Sequence, residues 1–102
     1  MMKYKAYLTN DVDKFLSKLS SSEEERIRKR IEKLETEDPY HYLERKWDTL
    51  VLKVGRSGYR VAVDVIEAKK KVKILYIQKR SRFYKEYDVN KWLFLVFFLI
   101  IV

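Results

Sequence analysis

Residues 49–61 read TLVLKVGRSGYRV, and this stretch decides the fold. Thr49 to Val54 is a β-branched and aliphatic run, Tyr59 to Glu67 is a second, and Lys71 to Gln78 a third. Each predicts a strand. The chain has only two glycines, Gly55 and Gly58, and both bracket Arg56 and Ser57 between the first two runs. Whether two or four residues form that loop, Val54 pairs with Tyr59 and Lys53 lies opposite Arg60. Ala68 to Lys70 separate the second run from the third, so the three strands form an antiparallel meander.

Upstream of the meander the periodicity is helical. Lys3 to Leu8 alternates polar and apolar residues and predicts a short first strand, after which Thr9 and Asn10 offer N-cap oxygens. Val12, Phe15, Leu16 and Leu19 then form one apolar stripe at i, i+3, i+4 and i+7. The serines at 20, 21 and 22 precede glutamates at 23, 24 and 25, so whichever serine caps the next helix finds a carboxylate three residues on. Ile27, Ile31 and Leu34 give that helix its buried stripe, and Pro39 closes it before a loop through Tyr40, His41 and Tyr42. The expected class is α+β: a short N-terminal strand, a helical hairpin and a three-stranded meander, with the helices packed on one sheet face.

Charge is distributed unevenly along this frame. The 102 residues carry a net charge of +8 and no cysteine, which excludes a disulfide framework and a thiolate metal site. Residues 1–44 hold 9 basic and 10 acidic side chains, whereas residues 45–102 hold 14 and 5. An anionic partner therefore faces the second half of the chain. Lys53 opposite Arg60 places like charges on one face, a pairing that costs a few tenths of a kcal/mol or more unless an anion lies between them. The next hairpin returns Lys79 and Arg80 beside Arg60, with Arg82 following. Lys53, Arg56, Arg60, Lys79, Arg80 and Arg82 are thus expected to ring one sheet edge; the bland alternative is a solvated basic face.

The run Leu52 to Val61, followed about twenty residues later by Gln78, Lys79, Arg80, Ser81, Arg82, Phe83, Tyr84 and Lys85, resembles the RelE/ParE toxin superfamily, and within it the archaeal type of RelE messenger-RNA interferase. The likeness spans about residues 3–87 and implies a toxin domain over residues 1–91. It implies a metal-independent endoribonuclease, without cofactor, that acts on messenger RNA in the ribosomal A site through attack of a ribose 2′-oxygen on the adjacent phosphate. It also implies a cytoplasmic location and a cognate RelB-like antitoxin.

Carried over residue by residue, the resemblance makes Lys53 the general base or charge stabiliser and sets Arg60 on the phosphorane oxygens. Arg80 or Arg82 takes the leaving oxygen or phosphate, and Tyr84 stacks on a base. Lys46, Arg56, Lys79 and Lys85 become RNA contacts. Fixed cations stabilise a dianionic phosphorane more than the monoanionic ground state, so the chemistry needs no conventional acid/base pair. Two departures stand out. Bacterial members often carry a second lysine at the position of Val51, which Lys46 or Arg45 must replace, and Tyr87 competes with Tyr84 for the tyrosine role. The alternatives are a non-enzymatic ParE-like inhibitor of DNA gyrase and an inactive member of the superfamily.

The remaining features are less specific. His41 is the only histidine, which excludes a histidine pair or triad. No Gly-rich phosphate loop and no metal-ligand spacing is present. Trp47 and Tyr59 are candidates either for base stacking or for packing. Residues 92–102 form an unbroken apolar run, about 16 Å as a helix against roughly 30 Å of hydrocarbon. It is too short to span a bilayer and is expected to be buried against protein.

Overall fold

The computed structural model describes residues 2–56 and 58–85. Tyr87 and the apolar run 92–102 lie outside the described residues. β1 (Lys5–Leu8) leads into α1 (Asn10–Ser17) and α2 (Ser21–Glu32), and then come β2 (Leu43–Lys46), β3 (Thr49–Val54), β4 (Tyr59–Ile66) and β5 (Lys71–Lys79). The five strands form one sheet in the order β1-β5-β4-β3-β2. β1 runs parallel to β5, and the other three pairings are antiparallel.

The helices start where their capping groups sit. The Thr9 hydroxyl accepts from the Val12 N–H, and the Ser20 hydroxyl accepts from the Glu23 N–H, satisfying donors that the first turn leaves unpaired. Ser20 is therefore the serine that caps α2. Arg28 on α2 reaches across to Asp13 on α1 at 2.9 Å and pairs with Glu24 on its own helix at 3.0 Å. α2 ends at Glu32 rather than at Pro39, which instead opens a 3-10 turn, Pro39–Tyr42.

The meander has four strands rather than three, because β2, between the predicted loop at 40–42 and the first predicted strand, pairs with β3. β2 reads Leu43, Glu44, Arg45, Lys46; as an edge strand with three exposed charged residues it lacks the alternation that marks a half-buried strand. The β3–β4 register matches the expectation, with Val54 opposite Tyr59 and Lys53 opposite Arg60.

The two faces of the sheet differ. Leu52, Val54, Tyr59, Val61, Val63, Val72, Ile74 and Ile77 point toward the helices and join Val12, Leu16, Ile27 and Ile31 in the main core. A bulge keeps β5 in this core: Ile74 pairs with Val63 and Tyr76 with Ala62, so Leu75 is the extra residue and both Ile74 and Ile77 face inward. On the opposite face the apolar strand residues buried among those described are Val51 and Ala62, beneath Phe83. Phe83 belongs to residues 80–85, a helical turn after β5.

Candidate functional site

The β3–β4 turn shapes one end of the open face. Gly55 has φ of +79°, in the left-handed region, and a Cβ on Gly58 would stand 2.3 Å from the Val54 carbonyl oxygen. Both positions therefore require glycine. Arg60 fills the inside of the turn. Its Nη1 donates to the Gly55 and Tyr59 carbonyls at 3.0 and 2.9 Å, and its Nη2 donates to the Arg56 carbonyl at 2.9 Å. The residue is 3% exposed, and its Nε finds no acceptor among the described residues.

Lys53, directly across from Arg60, pairs with Glu44 on β2 at 2.9 Å. The Lys53 hydrogen bond holds the Glu44 carboxyl below the usual carboxylate range. The like-charge conflict between Lys53 and Arg60 is therefore relieved inside the chain, by turn carbonyls on one side and a carboxylate on the other. An anion is not needed to account for that pair, which corrects the sequence argument. Three of the five N–H groups of Arg60 are committed to turn carbonyls, so the side chain braces the turn and adds fixed positive charge to the cleft wall, with its Nε unpaired among the described residues.

A cleft of about 460 Å³ opens beside this turn, lined by Lys46, Lys53, Arg56, Arg60, Arg80 and Tyr84. Arg80 is placed by the hydrogen bond from its N–H to the Gly58 carbonyl, 2.8 Å, which fastens the start of the last helical turn to the glycine turn. Phe83 anchors that helical turn on Val51 and Ala62, and Tyr84 stands against Phe83 edge to face, ring centroids 5.1 Å apart. Val51 is itself 1% exposed under this lid, so a lysine at that position would bury its ammonium. Lys46 lines the cleft in its stead. By register Arg45 pairs with Leu50 and so lies on the other face of β2.

Three expected site residues lie elsewhere. Lys79 pairs with Tyr59, on the helix-facing side, and its charge helps to lower the Glu23 carboxyl. Arg82 and Lys85 are exposed and do not line the cleft. The helical conformation of 80–85 is the reason: Arg80, Phe83 and Tyr84 are three and four residues apart and share a face, while Arg82 projects from another. Tyr59 cannot stack on a base, being 3% exposed in the main core. Trp47, in contrast, is 62% exposed, and its ring meets Tyr84 at 6.4 Å. Glu44 is a site residue that sequence reading missed, because no strand was expected at 43–46.

Five cations facing one carboxylate make the cleft a receptor for an anion. Lys46, Arg56 and Arg80 form no salt bridge with other described residues. Among the described residues no group of three potential metal ligands occurs, and no helix is long and apolar enough to cross a membrane. A second groove of similar volume, between β1 and α2, is lined by Glu24, Glu25, Glu32 and Glu35 beside Arg28 and Lys29 and has no comparable excess of positive charge.

No protein-family model matches the chain, and no curated protein matches it by sequence. Solved structures do match. The E. coli toxin RelE, in a mutant form in the free state, is 27% identical over 76% of this chain and 84% of its own, with a TM-score of 0.62. A chain of the archaeal RelE–RelB complex from Pyrococcus horikoshii OT3 is 27% identical over 79% of this chain and 99% of its own, TM-score 0.62. A chain of the toxin–antitoxin complex RelBE2 from Mycobacterium tuberculosis is 19% identical over 78% and 100%, TM-score 0.64. The fold of this chain is RelE-like.

Proposed function

We propose that this chain is the toxin of a type II toxin–antitoxin pair, a metal-independent endoribonuclease that cleaves messenger RNA in the ribosomal A site. The observation that carries the reading is the cleft itself: Lys46, Lys53, Arg56 and Arg80, from two strands, a turn and a helical turn, line one space with Tyr84. The RelE-like fold supports it, as does the presence of two of the similar chains in complexes of RelE with RelB or of RelBE2. The partners that follow are a RelB-like antitoxin, the ribosome and the messenger, and the setting is the cytoplasm.

In the reaction the ribose 2′-oxygen attacks the adjacent phosphorus, the bond from phosphorus to the 5′-oxygen breaks, and a proton passes from the nucleophile to the leaving oxygen. Lys53, once its side chain has left Glu44, is assigned to the 2′-oxygen as general base or charge stabiliser. Arg80 and Arg56 bind the non-bridging oxygens as negative charge builds, with Arg60 adding fixed positive potential from behind. Tyr84 orients the nucleotide. Arg82 and Lys85, on the outer surface of the helical turn, are assigned to phosphates outside the cleft.

The test is induced expression followed by mapping of messenger 5′ ends, with Arg80→Ala and Lys53→Ala as controls. Cleavage within codons that both substitutions abolish is the expected result. DNA damage with intact messages would select gyrase inhibition instead, and no effect of any kind would mark an inactive member of the superfamily.

A further inference from the structure

We propose that Trp47 is a stacking platform for an unpaired nucleobase adjoining the phosphate held in the cleft, so that the ligand is a single-stranded nucleotide segment recognised through base and backbone together. The inference deepens the reading above and takes from it that the ligand is RNA.

Three observations converge on this residue. Trp47 and Asp48 make the two-residue connection between β2 and β3, closed by the Lys46–Thr49 pair. Trp47 has φ of 57°, in the left-handed region where a bulky side chain is an outlier and where glycine or asparagine would sit more easily. Its side chain is 62% exposed, so folding gains little from the large apolar ring. Neither local geometry nor burial explains a tryptophan here; a ligand does.

The ring is also held in place. Tyr84 meets it at 6.4 Å with an interplanar angle of 77°, Tyr84 rests against Phe83 at 5.1 Å and 86°, and Phe83 is buried on Val51 and Ala62. This train of aromatic contacts fixes the indole to the small core of the open face, so a base meets a surface already ordered. Lys46, the preceding residue, and Tyr84 both line the cationic cleft. A nucleotide whose phosphate enters the cleft therefore has its own or its neighbour's base beside the indole. A base paired in a duplex has no free face to offer, which restricts the ligand to an unpaired segment. The density of cations beside Trp47 favours a nucleic acid over an apolar protein helix as the occupant.

The experiment uses the full chain with Trp92→Phe, which leaves Trp47 as the sole indole. A short single-stranded RNA and the same ribose-phosphate backbone without bases are titrated at low ionic strength, and indole fluorescence and Kd are read. RNA is expected to quench Trp47, and the abasic strand is not. Trp47→Gly is expected to weaken RNA binding about 10- to 100-fold, the range of one stacked base, and to leave abasic binding within twofold. Trp47→Phe should recover most of the loss. The melting temperature of Trp47→Gly should equal or exceed that of the parent, because glycine accepts the positive φ; this separates lost stacking from lost folding.

Absent quenching, or equal losses on both strands, overturns the proposal. So does unchanged RNA binding with weakened capture of an antitoxin peptide, which would assign Trp47 to a protein interface. Quenching with no messenger cleavage on induction would sink the nuclease reading while leaving the stacking role intact; cleavage that Trp47→Gly does not slow, with no quenching, would do the reverse.

Discussion

The two faces of the sheet are built on opposite terms. Among the described residues the helix-facing side buries fourteen in one cluster, from Tyr4 on the N-terminal segment to Ile77 on β5, with Leu8, Phe15, Leu19 and Leu50 partly buried against it. Among the described residues the open side buries three apolar ones, Val51, Ala62 and Phe83, and surrounds them with lysine, arginine, tyrosine and tryptophan. At about 25 cal/mol per Å² of apolar surface, the first face holds the fold together and the second contributes little. A chain of this size can leave one face thinly covered because the other suffices, and the uncovered face is where a charged ligand can be met by groups fixed on rigid strands.

The contrast makes graded predictions. Leu52→Ala, on the helix side, should destabilise the protein by about 2–5 kcal/mol in denaturant unfolding, since Leu52 is fully buried in the main core. Arg60→Ala should cost roughly 1.5–3 kcal/mol, because three turn carbonyls lose a charged donor, and cleavage should fall with stability. Arg80→Ala should move stability by less than about 0.5 kcal/mol while abolishing cleavage. Loss of stability in Arg80→Ala comparable to that in Arg60→Ala would erase the distinction between a cation that braces the turn and one that meets the ligand.

Two smaller effects sharpen it. The Tyr59 hydroxyl donates to Glu23 at 2.6 Å, tying the first turn of α2 to β4. That bond raises the Tyr59 hydroxyl above its ordinary 10.0 and lowers the Glu23 carboxyl below its ordinary 4.5. The tyrosine's share of stability is thus complete below about pH 10 and is lost as pH rises through its raised value. The glutamate's share is complete above about pH 4.5 and is lost as pH falls through its lowered value. The difference in melting temperature between wild type and Tyr59→Phe should therefore be flat near neutrality and shrink at both extremes. On the open face, three cations without a salt bridge among the described residues, Lys46, Arg56 and Arg80, predict a logarithmic salt slope of about −2 for single-stranded RNA, or about a 10- to 20-fold loss of affinity from 50 to 200 mM salt. A flat salt response would remove the cleft from the account.

Much of this was legible in the chain. The two glycines dictate the β3–β4 register, and the Thr9 and Ser20 caps place both helices, because these signals act within a few residues of themselves. β2 was illegible: its pairing depends on β3, and Glu44, Arg45 and Lys46 carry the charges of an edge. The helical turn at 80–85 was also hidden, being too short to show a period, and with it the separation of Arg80 from Arg82. The inward turn of the Arg60 guanidinium depends on carbonyls that only the folded turn collects. Convergence of Lys53, Arg56 and Arg80 was predicted and is present; the partners of Lys53 and Arg60 were not foreseen.

The most direct measurement is single-turnover cleavage by the purified chain on ribosomes programmed with a messenger whose A-site codon carries either normal or 2′-deoxy riboses. The account predicts cleavage of the normal messenger, none at the 2′-deoxy position, and a rate at least about 100-fold lower for a fully folded Arg80→Ala variant. Equal cleavage of both messengers, or an Arg80→Ala variant as fast as the parent, would contradict it.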